Sequence, residues 1–196
     1  NSEELYQKLL MFRNHGIEKN IKKMKNKKLA FNNEGERNTW YYEVQNIGFN
    51  FRLSDINCAL GLSQFRKLAM FKRKRQMLVN TYCFLFESLN EFVRPVNDPG
   101  DQLTAWHLFV VKINFKKLKK DRNYLINRLK EFNIQTQVHY IPVHYHPFFS
   151  KSVNKNLVGT EAYYDEILSL PLHPMMNNKD VKTVVNSIKE ILSDML

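Results

Sequence analysis

Glycine is scarce in this sequence of 196 residues. It has only six, where average usage would give about twice that. Gly16, Gly35, Gly48, Gly61, Gly100 and Gly159 stand too far apart for a GxGxxG or GxxxxGK run, which excludes Rossmann and P-loop phosphate cradles. Cysteine is scarcer still. Cys58 and Cys83 form no CxxC pair, so there is no zinc or dithiol motif, and the setting reads as a reducing cytoplasm. No apolar run approaches the roughly 18 residues of a membrane span. The polar start Asn1-Ser2-Glu3-Glu4 has no signal-peptide pattern. Acid is in deficit too, with 19 Asp and Glu against 30 Lys and Arg and a formal charge of +11. Lys outnumbers Arg and Asn is frequent, two biases that rise together in AT-rich coding, so the charge is first of all compositional. A basic surface still attracts anions, and a polyanion- or nucleic-acid-binding module is the rival class that the charge leaves open.

What is present is a globular composition, 43% hydrophobic and 13% aromatic, long enough for one domain or one and a half. Residues 2–14 read as a helix capped by Ser2, with Leu5, Leu9 and Phe12 on one stripe and Gly16 as the stop. A chain that opens without Met, directly on an amphipathic helix, reads as one cut from something longer. Residues 17–39, with Lys19, Lys22, Lys23, Lys25, Lys27 and Lys28, read as a mobile, solvated loop. In residues 40–52, Trp40, Tyr41, Tyr42, Phe49 and Phe51 sit near Asn50 and Arg52. That composition suits ring stacking, an interface or an ordinary core strand. A long helical stretch is expected over about 54–91, capped at Ser54-Asp55. Lys72-Arg73-Lys74-Arg75 would be its solvated face, and Cys58 and Cys83 small apolar fillers. Pro95, Pro99 and Gly100 mark a break. Beyond it, strands are expected at 107–115, 134–139 and 168–172, with helices at 118–132 and 160–167 and a last helix capped by Asn178. The second half is thus expected to be a small α+β domain.

Candidate chemistry is thin. His139, His144 and His146 cluster around Pro142 and Pro147, but the spacing fits no metal motif, and the proline-imposed extended path need not bring the rings together. A polar patch offering His139 and Tyr140, with Gln137 on the same strand face as His139, suits an anionic ligand better. No strained nucleophile turn such as GxSxG occurs. The lysines lie in polar or basic runs, whereas a lysine nucleophile needs burial or a cationic neighbour to lose its proton.

Several segments together carry a resemblance. They are Leu10-Met-Phe-Arg-Asn-His-Gly16, Ile47-Gly-Phe-Asn-Phe-Arg-Leu-Ser-Asp-Ile56, Ala59-Leu-Gly-Leu-Ser-Gln64, Trp106-His-Leu-Phe109, Gln137-Val-His-Tyr-Ile-Pro-Val-His144 and Ala162-Tyr-Tyr-Asp-Glu-Ile-Leu-Ser-Leu-Pro-Leu172. In this order they resemble the DegT/StrS sugar aminotransferases, pyridoxal-phosphate enzymes of fold type I. The wording is most similar to the branch that aminates a UDP-linked 4-keto-6-deoxy sugar on the way to pseudaminic acid. The resemblance implies the C-terminal half of such an enzyme. Residues 1–53 would be the end of the large domain and a crossing loop, 54–94 long connecting helices, and 95–196 the C-terminal small α+β domain. The cofactor-binding large domain, and the lysine that carries the cofactor, are missing from this stretch, so no catalytic residue is assigned. By position, Asn50 would reach the cofactor phosphate and the substrate in the neighbouring subunit of a homodimer, and Arg52, next in the same motif, would be structural or directed at the cofactor phosphate. Gln137, Val138, His139 and Tyr140 would line the nucleotide-sugar pocket, and Trp40 to Tyr42 would lean on the partner subunit. The resemblance further implies glutamate as amino donor, and neither a nucleic-acid nor a membrane partner. This chain by itself would be inactive, with a non-catalytic remnant as the alternative.

Overall fold

The computed structural model describes residues 1–96, 104–149 and 157–196. The expected break at Pro99-Gly100 lies outside the described residues. The chain divides into two compact units, Asn1–Phe65 and Arg66–Leu196, and the division falls within the stretch expected to be connecting helices.

The first unit opens with α1 (Glu3–Arg13), where Ser2 Oγ accepts the Leu5 amide at 3.3 Å and Glu3 and Glu4 occupy the positive end. Its stripe, Leu5, Leu9 and Phe12, is exposed. His15 and Gly16 both take left-handed backbone angles, φ 56° and 70°, and turn the chain into β1 (Ile17–Glu18). This strand pairs antiparallel with β2 (Glu43–Val44). Between them lies α2 (Lys27–Ala30), capped by Asn26. The segment expected to be a mobile loop is therefore ordered into short elements.

Glu43 is the reason. One carboxylate oxygen accepts the Lys25 amide at 2.9 Å and the other the Asn26 amide at 2.7 Å, while Gln45 Nε2 donates at 2.6 Å and the Tyr41 hydroxyl at 3.2 Å. These bonds, the Lys25 amide foremost, outweigh the cost of partial burial and hold the carboxyl at about 2 rather than 4.5. A lowered folded-state value means stabilisation that is complete above 4.5 and lost as the pH falls from there towards 2. Hydrogen-exchange protection at Lys25 and Asn26 should fall over that window, and Glu43→Gln should abolish the dependence. Unchanged protection on acidification would overturn the assignment. The first unit closes on α3 (Asp55–Phe65). Ile56, Leu60, Leu62 and Phe65 there are exposed, and so is Cys58, which is not the buried filler expected.

The second unit opens with α4 (Leu68–Phe86), so the expected single helical stretch is two helices. β3 (Val93–Pro95), β4 (Phe109–Ile113) and β5 (Ile167–Leu170) form an antiparallel sheet in the order β3-β4-β5, with Val93 opposite Ile113 and Phe109 opposite Leu170. Residues read as a break at Pro95 thus supply an edge strand, where a missing amide is tolerated. The stretch 134–139 is not a strand of the sheet. It keeps the alternation of burial but makes one isolated bridge, Gln137 to Ser169. α5 (Arg122–Glu131) is capped by Asp121, whose carboxylate accepts the Tyr124 amide at 2.9 Å. α6 (Val158–Glu166) runs directly into β5.

α7 (Asn178–Met195) is capped by Asn177 rather than Asn178, in a reciprocal capping box with Asp180. Its Val181, Val184, Val185, Ile188, Ile191, Leu192 and Met195 are buried at helical spacing. They share one core with Leu78, Tyr82 and Phe86 of α4 and with Phe109, Val111 and Ile113 of β4. Arg75, expected on a solvated face, instead donates to the Trp106 carbonyl at 3.2 Å, and Trp106 Nε1 donates to Gln76 at 2.7 Å.

Candidate functional site

The first group of candidate residues is assembled by backbone pairing. The His15 amide bonds the Phe49 carbonyl at 3.0 Å, the Phe49 amide the Phe12 carbonyl at 2.7 Å, and the Phe51 amide the Arg13 carbonyl at 3.1 Å. This short antiparallel contact sets Asn14 opposite Asn50. The Arg52 guanidinium then donates to the side-chain oxygens of both Asn50 and Asn14. With those oxygens occupied, the two side-chain amide nitrogens are left as donors beside a fixed positive charge. Arg52 and Asn14 also line a cavity of about 700 Å³ with Arg13, Lys19 and Glu18. Asn14 was not singled out from the sequence. Its only signal was its place in the Arg13-Asn14-His15-Gly16 run.

This donor set fits a phosphate group: a guanidinium, two side-chain amides whose nitrogens meet no acceptor among the described residues, and Arg13 and Lys19 at the cavity wall, against one acid, Glu18. Of the aromatics expected nearby, Trp40, Tyr42, Phe49 and Phe51 are exposed and Tyr41 is half-buried, and the Phe49 and Phe51 rings stack at 4.8 Å.

The second group lies in the other unit. Gln137 and Ser169 exchange backbone hydrogen bonds, amide to carbonyl, of 3.2 and 2.8 Å. Gln137 itself is exposed, and its side-chain oxygen accepts the Val138 amide at 2.9 Å. Val138 is half-buried against the core. His139 Nδ1 sits 2.8 Å from Ser169 Oγ, and the His139 ring meets the Tyr140 ring edge-on at 4.7 Å. Tyr140 is 73% exposed.

The three histidines go separate ways. His144 is buried, with Nε2 3.1 Å from Glu161 of α6, and His146 is exposed. Among the described residues no group of three His, Cys, Asp or Glu side chains is placed to hold a metal. No helix among them is long and apolar enough to cross a membrane.

With this geometry in hand, comparison with known proteins is decisive about class. Residues 1–189 match the DegT/DnrJ/EryC1/StrS aminotransferase family, and the chain belongs to that family. It is 34% identical over 195 residues to the spore coat polysaccharide biosynthesis protein SpsC of Bacillus subtilis, covering 97% of this chain and 47% of that protein. It is 30% identical over 192 residues to the UDP-4-amino-4,6-dideoxy-N-acetyl-beta-L-altrosamine transaminase of Campylobacter jejuni, covering 97% of this chain and 46% of the relative.

Among solved structures it superposes on Helicobacter pylori PseC, an aminotransferase of pseudaminic acid biosynthesis, with a TM-score of 0.82 and 26% identity. That match covers 100% of this chain and 48% of PseC. The chain therefore spans about half the length of the curated relatives it matches. The family uses pyridoxal 5′-phosphate, and a Streptococcus pneumoniae protein of this fold has been solved in PLP and PMP forms.

Proposed function

We propose that this chain is the C-terminal half of a pyridoxal-phosphate sugar aminotransferase. Its reaction moves an amino group from glutamate to a UDP-linked 4-keto-6-deoxy amino sugar, in the cytoplasm, for a surface sugar of the pseudaminic acid type. The observation that carries the reading is the superposition of the whole chain on PseC. Residues 1–53 then end the large domain and 54–94 connect, with α4 and the start of β3 packed into the core of the small domain that 95–196 complete.

Pyridoxal phosphate, when bound, supplies an electron sink for the transfer. This chain's own residues bind and orient. Asn50 and Arg52 address the cofactor phosphate across the interface of a two-fold homodimer, the amide donating without adding charge and the guanidinium fixing which way the amide faces. Gln137, Val138, His139 and Tyr140 line the nucleotide-sugar pocket. The lysine that carries the cofactor is supplied from outside this stretch, so the chain alone is inactive and an N-terminal half completes it.

Co-expression with the N-terminal half of a relative should give glutamate-dependent amination of a UDP-4-keto sugar, and this chain alone none. In parallel, UDP-N-acetylglucosamine should perturb amide resonances at residues 137–140, while duplex DNA at moderate salt should not bind. DNA binding with a steep salt dependence, and silence towards the sugar nucleotide, would overturn the reading in favour of the polyanion module.

A further inference from the structure

Ser169 is an anomaly in its strand. β5 reads Ile167, Leu168, Ser169, Leu170, and all four residues are buried. A hydroxyl in such a place needs a hydrogen-bond partner. Its partner is the imidazole of His139, at 2.8 Å through Nδ1. The Ser169 backbone meanwhile pairs with Gln137 in both directions. One buried residue therefore holds both the path of the 137–140 segment and the ring of its histidine.

We propose that Ser169 is a positioning residue for nucleotide-sugar binding, fixing His139 as the Nε2–H tautomer with Nε2 presented to the ligand. The proton assignment follows from the surroundings. Among the described residues, Nδ1 is the one hydrogen-bond partner of Ser169 Oγ. Were Nδ1 itself protonated, the hydroxyl hydrogen would be left without an acceptor in a buried site. The hydroxyl therefore donates to Nδ1, and the ring proton resides on Nε2. Nε2 makes no hydrogen bond among the described residues and is not one of the sealed, unpartnered atoms. An outward N–H is a donor suited to the oxygen-rich surface of a diphosphate sugar. Holding the ring in advance moves its ordering cost from binding to folding. The ligand in this inference rests on the proposed function; the tautomer does not.

The test uses this chain labelled with nitrogen-15 histidine. In the wild type, the His139 ring nitrogens should report a protonated Nε2 and a bare Nδ1. Titration with UDP-N-acetylglucosamine should shift Nε2. Ser169→Ala should release the tautomer and weaken binding about tenfold, the weight of one oriented hydrogen bond. Ser169→Thr, which keeps the hydroxyl, should retain the tautomer. In a His139→Ala background, Ser169→Ala should cost nothing further, because Ser169 acts through His139.

A protonated Nδ1 in the wild type, wild-type affinity in Ser169→Ala, or additive losses in the double variant would each overturn the inference and leave the nucleotide-sugar reading standing. A wild-type chain that shows the Nε2–H tautomer yet does not respond to the sugar nucleotide would overturn that reading, and with it the role proposed here. Should Ser169→Ala fail to fold, the wild-type tautomer and the Ser169→Thr titration still decide.

Discussion

Gly48→Ala is expected to unfold the pairing that holds Asn14, Asn50 and Arg52 together, at a cost of about 4 kcal/mol or more to the first unit. The argument is steric. A methyl group at position 48 would lie 2.1 Å from the Gly16 amide nitrogen and 2.6 Å from the His15 carbonyl carbon. Both are backbone atoms, so no rotamer change relieves the clash. Gly16 faces the same contact from the other side: its own Cβ would fall 1.7 Å from the Asn46 carbonyl oxygen, and its φ of 70° is one that only glycine adopts freely. The unit has little else to absorb the strain. Its buried hydrophobic side chains are Met24 and Ala30, so its order rests on backbone hydrogen bonds and on Glu43. The measurement is hydrogen exchange at His15, Phe49 and Phe51, whose amides bond across the contact, and all three should lose protection. Gly61→Ala is the control. That glycine lies within α3, and an added methyl there meets nothing within 4 Å, so the helix should gain up to about 1 kcal/mol. Equal, small effects at the two positions would remove the steric argument.

The two glycines also show what the sequence could carry. The runs ending at Gly16 and beginning at Ile47 are separate pieces of the resemblance. That they dock on each other is a long-range backbone event with no local signature, and it alone makes Asn14 a candidate site residue. Helices were readable where the information is local, as with Ser2 before α1 and the apolar spacing of α7; the helix expected from 118 starts instead at Arg122, after the Asp121 cap. Asn177 rather than Asn178 is the cap because Asp180 stands three residues after it and completes the capping box, where Asn178 would have Val181. Residues 134–139 alternate as a strand does, and their burial alternates too. Alternation reports one wet and one dry face, not ladder pairing, and here a single bridge to Ser169 suffices. Residues 17–39 misled for a related reason. Composition marked them as solvated, which they are, but composition does not register an anchor such as Glu43, which bonds amides 18 and 17 residues upstream. The histidine cluster disperses along its proline-bound path, and His139, His144 and His146 go to Ser169, to Glu161 and to solvent.

Phe109→Ala should be the most damaging single truncation in the second unit, at about 3–5 kcal/mol. Phe109 begins β4 and is fully buried. Its ring stacks on Tyr82 at 4.5 Å and 13°, and lies 6.4 Å from Phe86, so three aromatics from one helix and one strand interlock. Removing the Phe109 ring forfeits its burial and its ring–ring contacts, and leaves a void that two rigid neighbours cannot collapse into. Tyr82 separates packing from hydrogen bonding at the same place. Its hydroxyl donates to the Pro171 carbonyl at 2.9 Å. Burial first, and the Asp180 charge second, push its phenol far above the usual value of 10, so the group is a neutral donor at neutral pH. Tyr82→Phe keeps the stack and orphans that carbonyl, which should cost about 1–3 kcal/mol, less than the loss of the ring at 109. The observable is the denaturant midpoint followed by Trp106 fluorescence, since Trp106 is buried in this core and donates to Gln76. Equal midpoints for the two variants would mean that the hydroxyl, and not the stack, secures α4 to the sheet. A stack that secures it also fixes β4, and through β4 the register of β5, where Val110 stands opposite Ser169. Loosening the ring cluster should therefore reach the His139 imidazole without touching it, as lost protection at the Gln137 and Ser169 amides.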